Sequence, residues 1–405
     1  MAENIFPYEL PENWHWSTLG KVCKLAKGEK IFDEKFPYLD VKYLRGTNEK
    51  NFVESGNYVE EGSKLILVDG ENSGEIFTVH ENGYMGSTLR ELKIFEIVDA
   101  NFFQYFVSTK KELYRQNKRG SAIPHLNKNL FYSTPIPLPP LDEQKRIVAV
   151  IESLFEKLDA AKSIVQKVLD GYELRRAAIL HKAFTGNLTK NFRAEHGFTL
   201  DDWQEKKFSD VLFPTENTKP TGKNFRYIDI DSIDNKRQQV RAPKIIETEK
   251  APSRAIRKIK ENDVLFSMVR PYLKNIALID ENLQDCIASS GFFVCRCTEN
   301  LSSKFLYNFL CSENAISYLM QFMKGDNSPS IRRDEFLSLS VNLPSIDEQK
   351  EIVRVLADLL DKEQRTKEIA EKILSEIDVM KRTILARAFR GELGTKYQKK
   401  FLEGL

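Results

Sequence analysis

Leu138-Pro-Pro-Leu-Asp-Glu-Gln-Lys-Arg-Ile-Val148 returns 205 residues later as Leu343-Pro-Ser-Ile-Asp-Glu-Gln-Lys-Glu-Ile-Val353. The shared Asp-Glu-Gln-Lys alone carries little, since a chain this long offers on the order of one chance match of four residues. A second block at the same spacing decides the matter. Ile179-Leu-His-Lys-Ala-Phe-Thr-Gly-Asn-Leu188 recurs as Ile384-Leu-Ala-Arg-Ala-Phe-Arg-Gly-Glu-Leu393. The chain is a tandem duplication, and each copy closes on one long helix.

Those helices are legible from their ends and their period. Asp142 and Asp347 are natural N-caps, each with Glu-Gln in the following turn. Gly186 and Gly391 stand where a left-handed glycine ends a helix. Between them run Ile147, Ile151, Leu154, Leu158, Ala161, Val165, Val168 and Tyr172, spaced alternately by four and three, the seam of a coiled coil. The second seam is Ile352, Leu356, Leu359, Ala370, Ile373, Ile377, Met380 and Ile384, interrupted at Glu363 and Thr366. About 44 residues per helix gives roughly 66 Å. Two matching seams in one chain can pair with each other, and the order domain–helix–domain–helix favours an antiparallel pair about a pseudo-twofold axis. An ordinary homodimeric coiled coil, or a helix lying on its own domain, is the alternative.

Upstream of each helix lies a mixed globular part. Trp14–Val22 matches Trp203–Val211, and Tyr38–Leu44 matches Tyr227–Ile233, both 189 residues apart and both alternating enough for strands. Further strands are expected at Lys64–Val68, Glu91–Ile97, Val264–Val269, Ile276–Ile279 and Gly291–Arg296. Asp99 caps a helix with Phe102, Phe103, Phe106 and Val107 on its apolar face; Ser302 or Ser303 starts its counterpart, with Phe305, Leu306, Phe309 and Leu310. Past Gly120 the spacing is 205, so the second copy carries 16 extra residues before that point. Gly120–Lys128 and Gly325–Arg333 read as matching loops. The fold class is therefore α+β, in five parts: globular domains over 1–140 and 187–345, long helices over 141–186 and 346–393, and a tail over 394–405.

Net charge is +2, so any basic surface must be local. The N-terminus lacks a signal-peptide pattern and no apolar run reaches membrane-spanning length, which points to the cytoplasm. The five cysteines, Cys23, Cys286, Cys295, Cys297 and Cys311, read as reduced thiols. Cys295 and Cys297 share a strand face and have no second pair at metal-finger spacing, so no metal site is expected.

Catalytic patterns are missing. There is no phosphate-binding G-x-x-x-x-G-K-[ST] and no Asn/Asp-Pro-Pro-aromatic run. Glu247-Thr-Glu-Lys250 reads as a solvated loop. Candidate nucleic-acid contacts are Lys42, Arg45, Asn72, Ser73, Arg90, Arg119, His125 and Lys128 in the first half. In the second they are Arg226, Arg237, Arg254, Arg257, Lys258, Arg270, Lys274, Arg332 and Arg333. Arg and Asn suit base edges, whereas Lys mostly positions on phosphate. Asp69–Gly74 is a polar turn, either a plain hairpin or a base-reading loop.

With Leu10-Pro-Glu-Asn-Trp14, the doubled Pro-Leu-x-Glu-Gln-type segments and Ala-Phe-x-Gly-x-Leu at Ala183–Leu188 and Ala388–Leu393, the chain resembles the DNA specificity subunit of type I restriction–modification enzymes. The second opening, Leu200-Asp-Asp-Trp203, departs by lacking the proline, and Val341-Asn342 replaces Ile136-Pro137. The resemblance implies a non-catalytic subunit of a phage-defence complex. Its two target-recognition domains each read half of a split DNA sequence. Its helices set the spacing and bind two adenine-methyltransferase subunits, and two restriction (translocase) subunits complete the assembly. This subunit binds no cofactor of its own, while its partners use S-adenosylmethionine, and ATP with Mg for restriction. A specificity subunit of a related type II-like system, or a coiled-coil adaptor for proteins alone, are the other readings.

Overall fold

The computed structural model describes residues 8–118 and 124–394. It divides into two compact units, one of residues 1–166 with 372–405 and one of residues 167–371. The division falls inside both long helices. Each unit therefore takes its globular part together with a segment of each helix.

The second long helix is continuous over Ile346–Phe389. The first runs over Leu141–Asp170 and Tyr172–Phe184, interrupted at Gly171. Gly171 keeps a right-handed helical backbone, and the bonds Gly171 N to Lys167 O and Arg175 N to Gly171 O carry the helix through. The expected caps need correction. The helices begin at Leu141 and Ile346, two residues before the start that these caps imply, so Asp142 and Asp347 lie in the first turn, where they complement the helix dipole. Ser345 Oγ instead accepts from Glu348 N at 3.3 Å. The C-termini match expectation. Gly186 (φ 75°) and Gly391 (φ 78°) are left-handed. Gly186 N bonds Ala183 O and Asn187 N bonds Lys182 O; Gly391 N bonds Ala388 O and Glu392 N bonds Arg387 O. This double bond pattern closes the last helical carbonyls.

In each unit the two helix segments run antiparallel. In the first, Asp159 pairs with Lys381 (2.5 Å) and Lys162 with Asp378 (3.6 Å). In the second, Tyr172 Oη donates to Gln364 Oε1 (3.0 Å), Arg175 pairs with Glu363 (2.8 Å), and Lys367 lies over the Tyr172 ring. The polar break in the second seam at Glu363 is thus occupied by polar partners. The seam expectation fails further on: Met380 is 48 % exposed, whereas Leu385, Ala388 and Phe389 are buried in the first unit's core. A helix of 3.6 residues per turn drifts off a 3.5-residue seam when it packs on a globular core instead of a partner helix.

The two globular parts share one plan. A four-stranded sheet has the order Cys23–Ala26, Leu89–Ile94, Lys64–Leu67, Ile76–Thr78 in the first unit. Leu212–Phe213, Phe292–Cys297, Val264–Ser267 and Ile276–Leu278 repeat that order in the second. Its apolar face packs on the expected Phe102/Phe103/Phe106/Val107 and Phe305/Leu306/Phe309/Leu310 faces. In the first unit Glu29–Leu39, Phe52–Val59 and Gly83–Met85 close a small barrel. The second unit opens it into a sheet ordered Lys244–Glu247, Asn224–Ile228, Ile287–Ser289, Ala255–Lys258. Glu247, expected in a loop, therefore ends an edge strand. Matching strands are 189 residues apart at Leu39 and Ile228 but 200 apart at Lys64 and Val264. Eleven of the 16 extra residues lie between them, where the hairpin Ile233–Asp234/Gln239–Val240 is built.

Two expected strands are only half strands. His15–Thr18 and Gln204–Lys207 are extended, but Leu19–Val22 and Phe208–Val211 turn helical. Tyr38–Leu39 and Tyr227–Ile228 end strands, after which Asp40 accepts from Tyr43 N (2.7 Å) and Asp229 from Ser232 N (3.1 Å). The aspartates are helix caps, and local capping overrides the alternation that suggested a strand.

The Glu-Gln of the repeated Asp-Glu-Gln is buried in both copies, while the aspartates are exposed. Gln144 donates to Ile97 O and Pro139 O and accepts from Asp99 N, at 2.8–3.1 Å. Gln349 donates to Asn300 O and Pro344 O and accepts from Ser302 N, at 2.8–3.0 Å. Both side chains are buried. Glu143 accepts from Asn13 (2.8 Å) and Trp14 Nε1 (3.4 Å), and Glu348 accepts from Trp203 Nε1 (3.0 Å). Gln therefore joins the helix start to the start of the globular helix, and Glu holds the tryptophan lead-in. A Cβ on Gly391 would approach Pro11 Cγ to 2.5 Å, so the lead-in also packs on the helix end.

Candidate nucleic-acid interface

One loop pair recurs at the same place in both units. Gly70 N donates to Pro124 O (2.7 Å) and Leu126 N to Val68 O (2.8 Å). The counterparts are Arg270 N to Pro329 O (2.8 Å) and Ile331 N to Met268 O (3.0 Å). The turn after the second sheet strand in sequence, Lys64–Leu67 or Val264–Ser267, is therefore stitched to the loop before the short helix Lys128–Ser133 or Arg333–Leu337. A rigid core presents two irregular segments side by side, the arrangement on which binding functions are commonly built.

The two loop pairs differ in charge. In the first unit the turn is acidic and each acid has a partner. Asp69 Oδ1 lies 2.6 Å from His125 Nδ1, Glu71 pairs with Lys118 (2.6 Å), and Glu75 pairs with Arg45. The Lys118 hydrogen bond holds the Glu71 carboxyl below its usual range. In the second unit Arg270 and Lys274 bracket the turn. Arg270 donates to Asn327 O (2.7 Å) and Lys274 pairs with Glu313 (2.5 Å).

The remaining first-unit candidates fall around this loop pair with unequal access. Lys42, on the short helix Val41–Leu44, and Lys128 are exposed. Asn72 is half-buried, and Arg90 is held by the carbonyls of Ser87 and Leu89. Ser73, expected as a base contact, is buried and its hydroxyl has no hydrogen-bond partner among the described residues. The turn folds inward at that residue, which alternation of polar letters could not reveal. Arg119 lies outside the described residues.

In the second unit Arg254 and Arg270 line one cleft of about 700 Å³, with Tyr227 and Asn275. Arg237 and Lys274 line another of about 580 Å³, with Lys236, Arg176 and Lys367. Arg332 and Arg333 are exposed, the latter 5.7 Å above the Phe293 ring. Arg257 donates to Asn217 (2.9 Å); burial and then the nearby Arg333 charge lower its pKa. Arg226 is likewise engaged within the fold, by Asp285 and Asn282 O, both at 2.6 Å, and Lys258 by Glu216 at 3.1 Å. The sequence reading missed Lys118, Lys236, Arg176 and Lys367. A basic residue within a helix or hairpin carries no mark of what it will face.

Among the described residues no three His, Cys, Asp or Glu side chains are grouped to hold a metal ion. Burial pushes the Cys297 thiol up to about 11 and Cys295 further. None of the described helices is long and apolar enough to cross a membrane.

A family model described as the type I restriction modification DNA specificity domain matches residues 11–169 and again 200–375. Among curated relatives, the type I restriction enzyme MjaVIII specificity subunit of Methanocaldococcus jannaschii is 28 % identical, covering 96 % of this chain and 94 % of its own. The EcoKI specificity subunit of Escherichia coli K12 is 24 % identical over 96 % and 91 %. Among solved structures, the HsdS subunit from Thermoanaerobacter tengcongensis aligns with a TM-score of 0.64 at 20 % identity, over 96 % of this chain and 99 % of that one. A chain from a structure of type I restriction–modification complex assembly aligns at 0.73, also 20 % identical, over 96 % and 100 %. These likenesses support the fold read above.

Proposed function

We propose a division of labour for this chain, which belongs to the family of type I restriction–modification DNA specificity subunits. Each globular part reads one half of a bipartite DNA sequence, through the stitched loop pair and the basic residues around it. The helices set the distance between the half-sites and hold two methyltransferase subunits; two restriction subunits complete the complex. The observation that carries this reading is one scaffold built twice with different loops. The Gln144/Gln349 and Glu143/Glu348 locks coincide in the two copies, while the turns at 69–75 and 269–275 differ in every charged position. A scaffold that served one symmetric ligand would have no need of two unlike loops.

The chain itself supplies no chemistry in this reading. It binds no cofactor, and S-adenosylmethionine, ATP and Mg belong to its partners, in the cytoplasm. An apolar cleft of about 400 Å³ on the first unit's helix pair, lined by Leu154, Leu158, Val379, Met380, Ile384 and Leu393, suits a methyltransferase helix. The test is to assemble the chain with its methyltransferase, modify DNA and sequence the methylated positions. A two-part motif is expected, and replacing residues 23–118 by those of a relative should change one part only. Both parts changing together would refute the modular reading.

A further inference from the structure

We propose that Tyr272 and Leu273 form a wedge that enters the minor groove at the second half-site and partly unstacks a base step. This rests on the DNA-reading role above and adds a deformation to it. The turn that carries the wedge is conformationally unusual. Arg270 (φ 49°) and Lys274 (φ 51°) are both left-handed, a region that side-chain-bearing residues seldom occupy. The matching positions in the first unit, 200 residues earlier, are Gly70 (φ 113°) and Gly74 (φ 98°). Positive φ at both positions is thus common to the two copies, but only the second carries side chains there. Such strain persists where the surroundings over-determine it, and it marks functional turns.

Here the surroundings do so. Arg270 is fixed through Pro329 O and Asn327 O, Lys274 through Glu313, and Pro271 is buried. Between these anchors the single turn Pro271–Leu273 presents Tyr272 (43 % exposed) and Leu273 (37 % exposed). Neither side chain makes a hydrogen bond or ring contact among the described residues. Leu273 lines both the 700 Å³ and the 580 Å³ clefts and Tyr272 lines the second, so the pair forms the ridge between them. Arg254 and Arg270 stand in the cleft on one flank, Lys236 and Arg237 in that on the other. Acids line the clefts as well. Asp229 and Asp231 are met by Lys244, and Asp234 by Arg241 and the backbone N–H groups of Lys236 and Arg237. Glu173, Glu368 and Glu371 stand with Asp234 in the second cleft, where Arg176, Lys236, Arg237, Lys274 and Lys367 outnumber them.

A narrow apolar ridge with cations on both flanks matches the cross-section of a minor groove, about 6 Å wide with a phosphate strand on either side. Apolar side chains driven into that groove unstack a step and kink the duplex. The first unit's turn, Gly70-Glu-Asn-Ser-Gly74, has no apolar side chain to insert. The distortion therefore belongs to the second half-site alone.

The test uses the assembled methyltransferase complex and duplexes with 2-aminopurine at successive positions, omitting the adenines that become methylated. Fluorescence should rise at one step of the second half-site and at none of the first. The Tyr272→Ser/Leu273→Ser double variant should abolish the rise and weaken binding roughly tenfold, with an abasic position at that step restoring affinity because the unstacking is already done. Tyr272→Phe keeps the wedge and should behave as the parent. A complex that methylates its bipartite motif with no fluorescence rise in the second half-site overturns the wedge, as does a rise that survives in the double variant. A complex that methylates no defined sequence overturns the DNA-reading role itself.

Discussion

Lengthening both helices by one heptad tests whether they act as a ruler. The insertions go after Gln166 and Glu371, where each helix leaves one compact unit for the other. Both points lie within continuous helix, Leu141–Asp170 and Ile346–Phe389. Lys162–Asp378 lies on one side of these points and Arg175–Glu363 on the other, so each pair moves with its own unit. Seven residues return every side chain to nearly its original face of the seam. They add about 10 Å at 1.5 Å per residue. At 3.4 Å per base pair that is about three base pairs of unread DNA. The readout is the methylated motif of the assembled complex: both half-sequences unchanged, the gap between them longer by up to about three base pairs. A four-residue insertion adds about 6 Å but turns the units by roughly 40°, and should cost activity before it resets the gap. An active heptad variant whose gap is unaltered would show that the helices do not set the spacing.

The buried Glu348 in the second unit is bound by Arg193 (2.5 Å) and Thr189 (2.7 Å), so Arg193→Met should strand its charge and destabilise that unit by about 3–5 kcal/mol in chemical denaturation. Its counterpart Glu143 accepts from the neutral Asn13, and Asn13→Ala should cost only about 1 kcal/mol. Ser73→Ala removes a buried hydroxyl that has no partner among the described residues; it should raise stability by about 1 kcal/mol and leave the methylated motif unchanged. The purified chain, freed of partners, should neither methylate nor cleave DNA; methyl transfer that survives stringent purification would falsify the scaffold role.

What the sequence determined by itself was local or repeated. The duplication, the faces Phe102–Val107 and Phe305–Leu310 and the closing glycines Gly186 and Gly391 were legible, because period and turn geometry are set within a few residues. The caps were misplaced by two residues, and Asp40 and Asp229 were hidden inside apparent strands, since a capping aspartate and a strand aspartate look alike until the chain turns. The tertiary structure alone decided the partners. Nothing in the letters says that Gln144 will meet Asp99, that Glu75 will engage Arg45, or that Ser73 will point inward. It also decided that the compact units cut across both helices. Periodicity states which face of an element is apolar; what that face meets depends on contacts between residues far apart in the chain, and those exist only once the fold has closed.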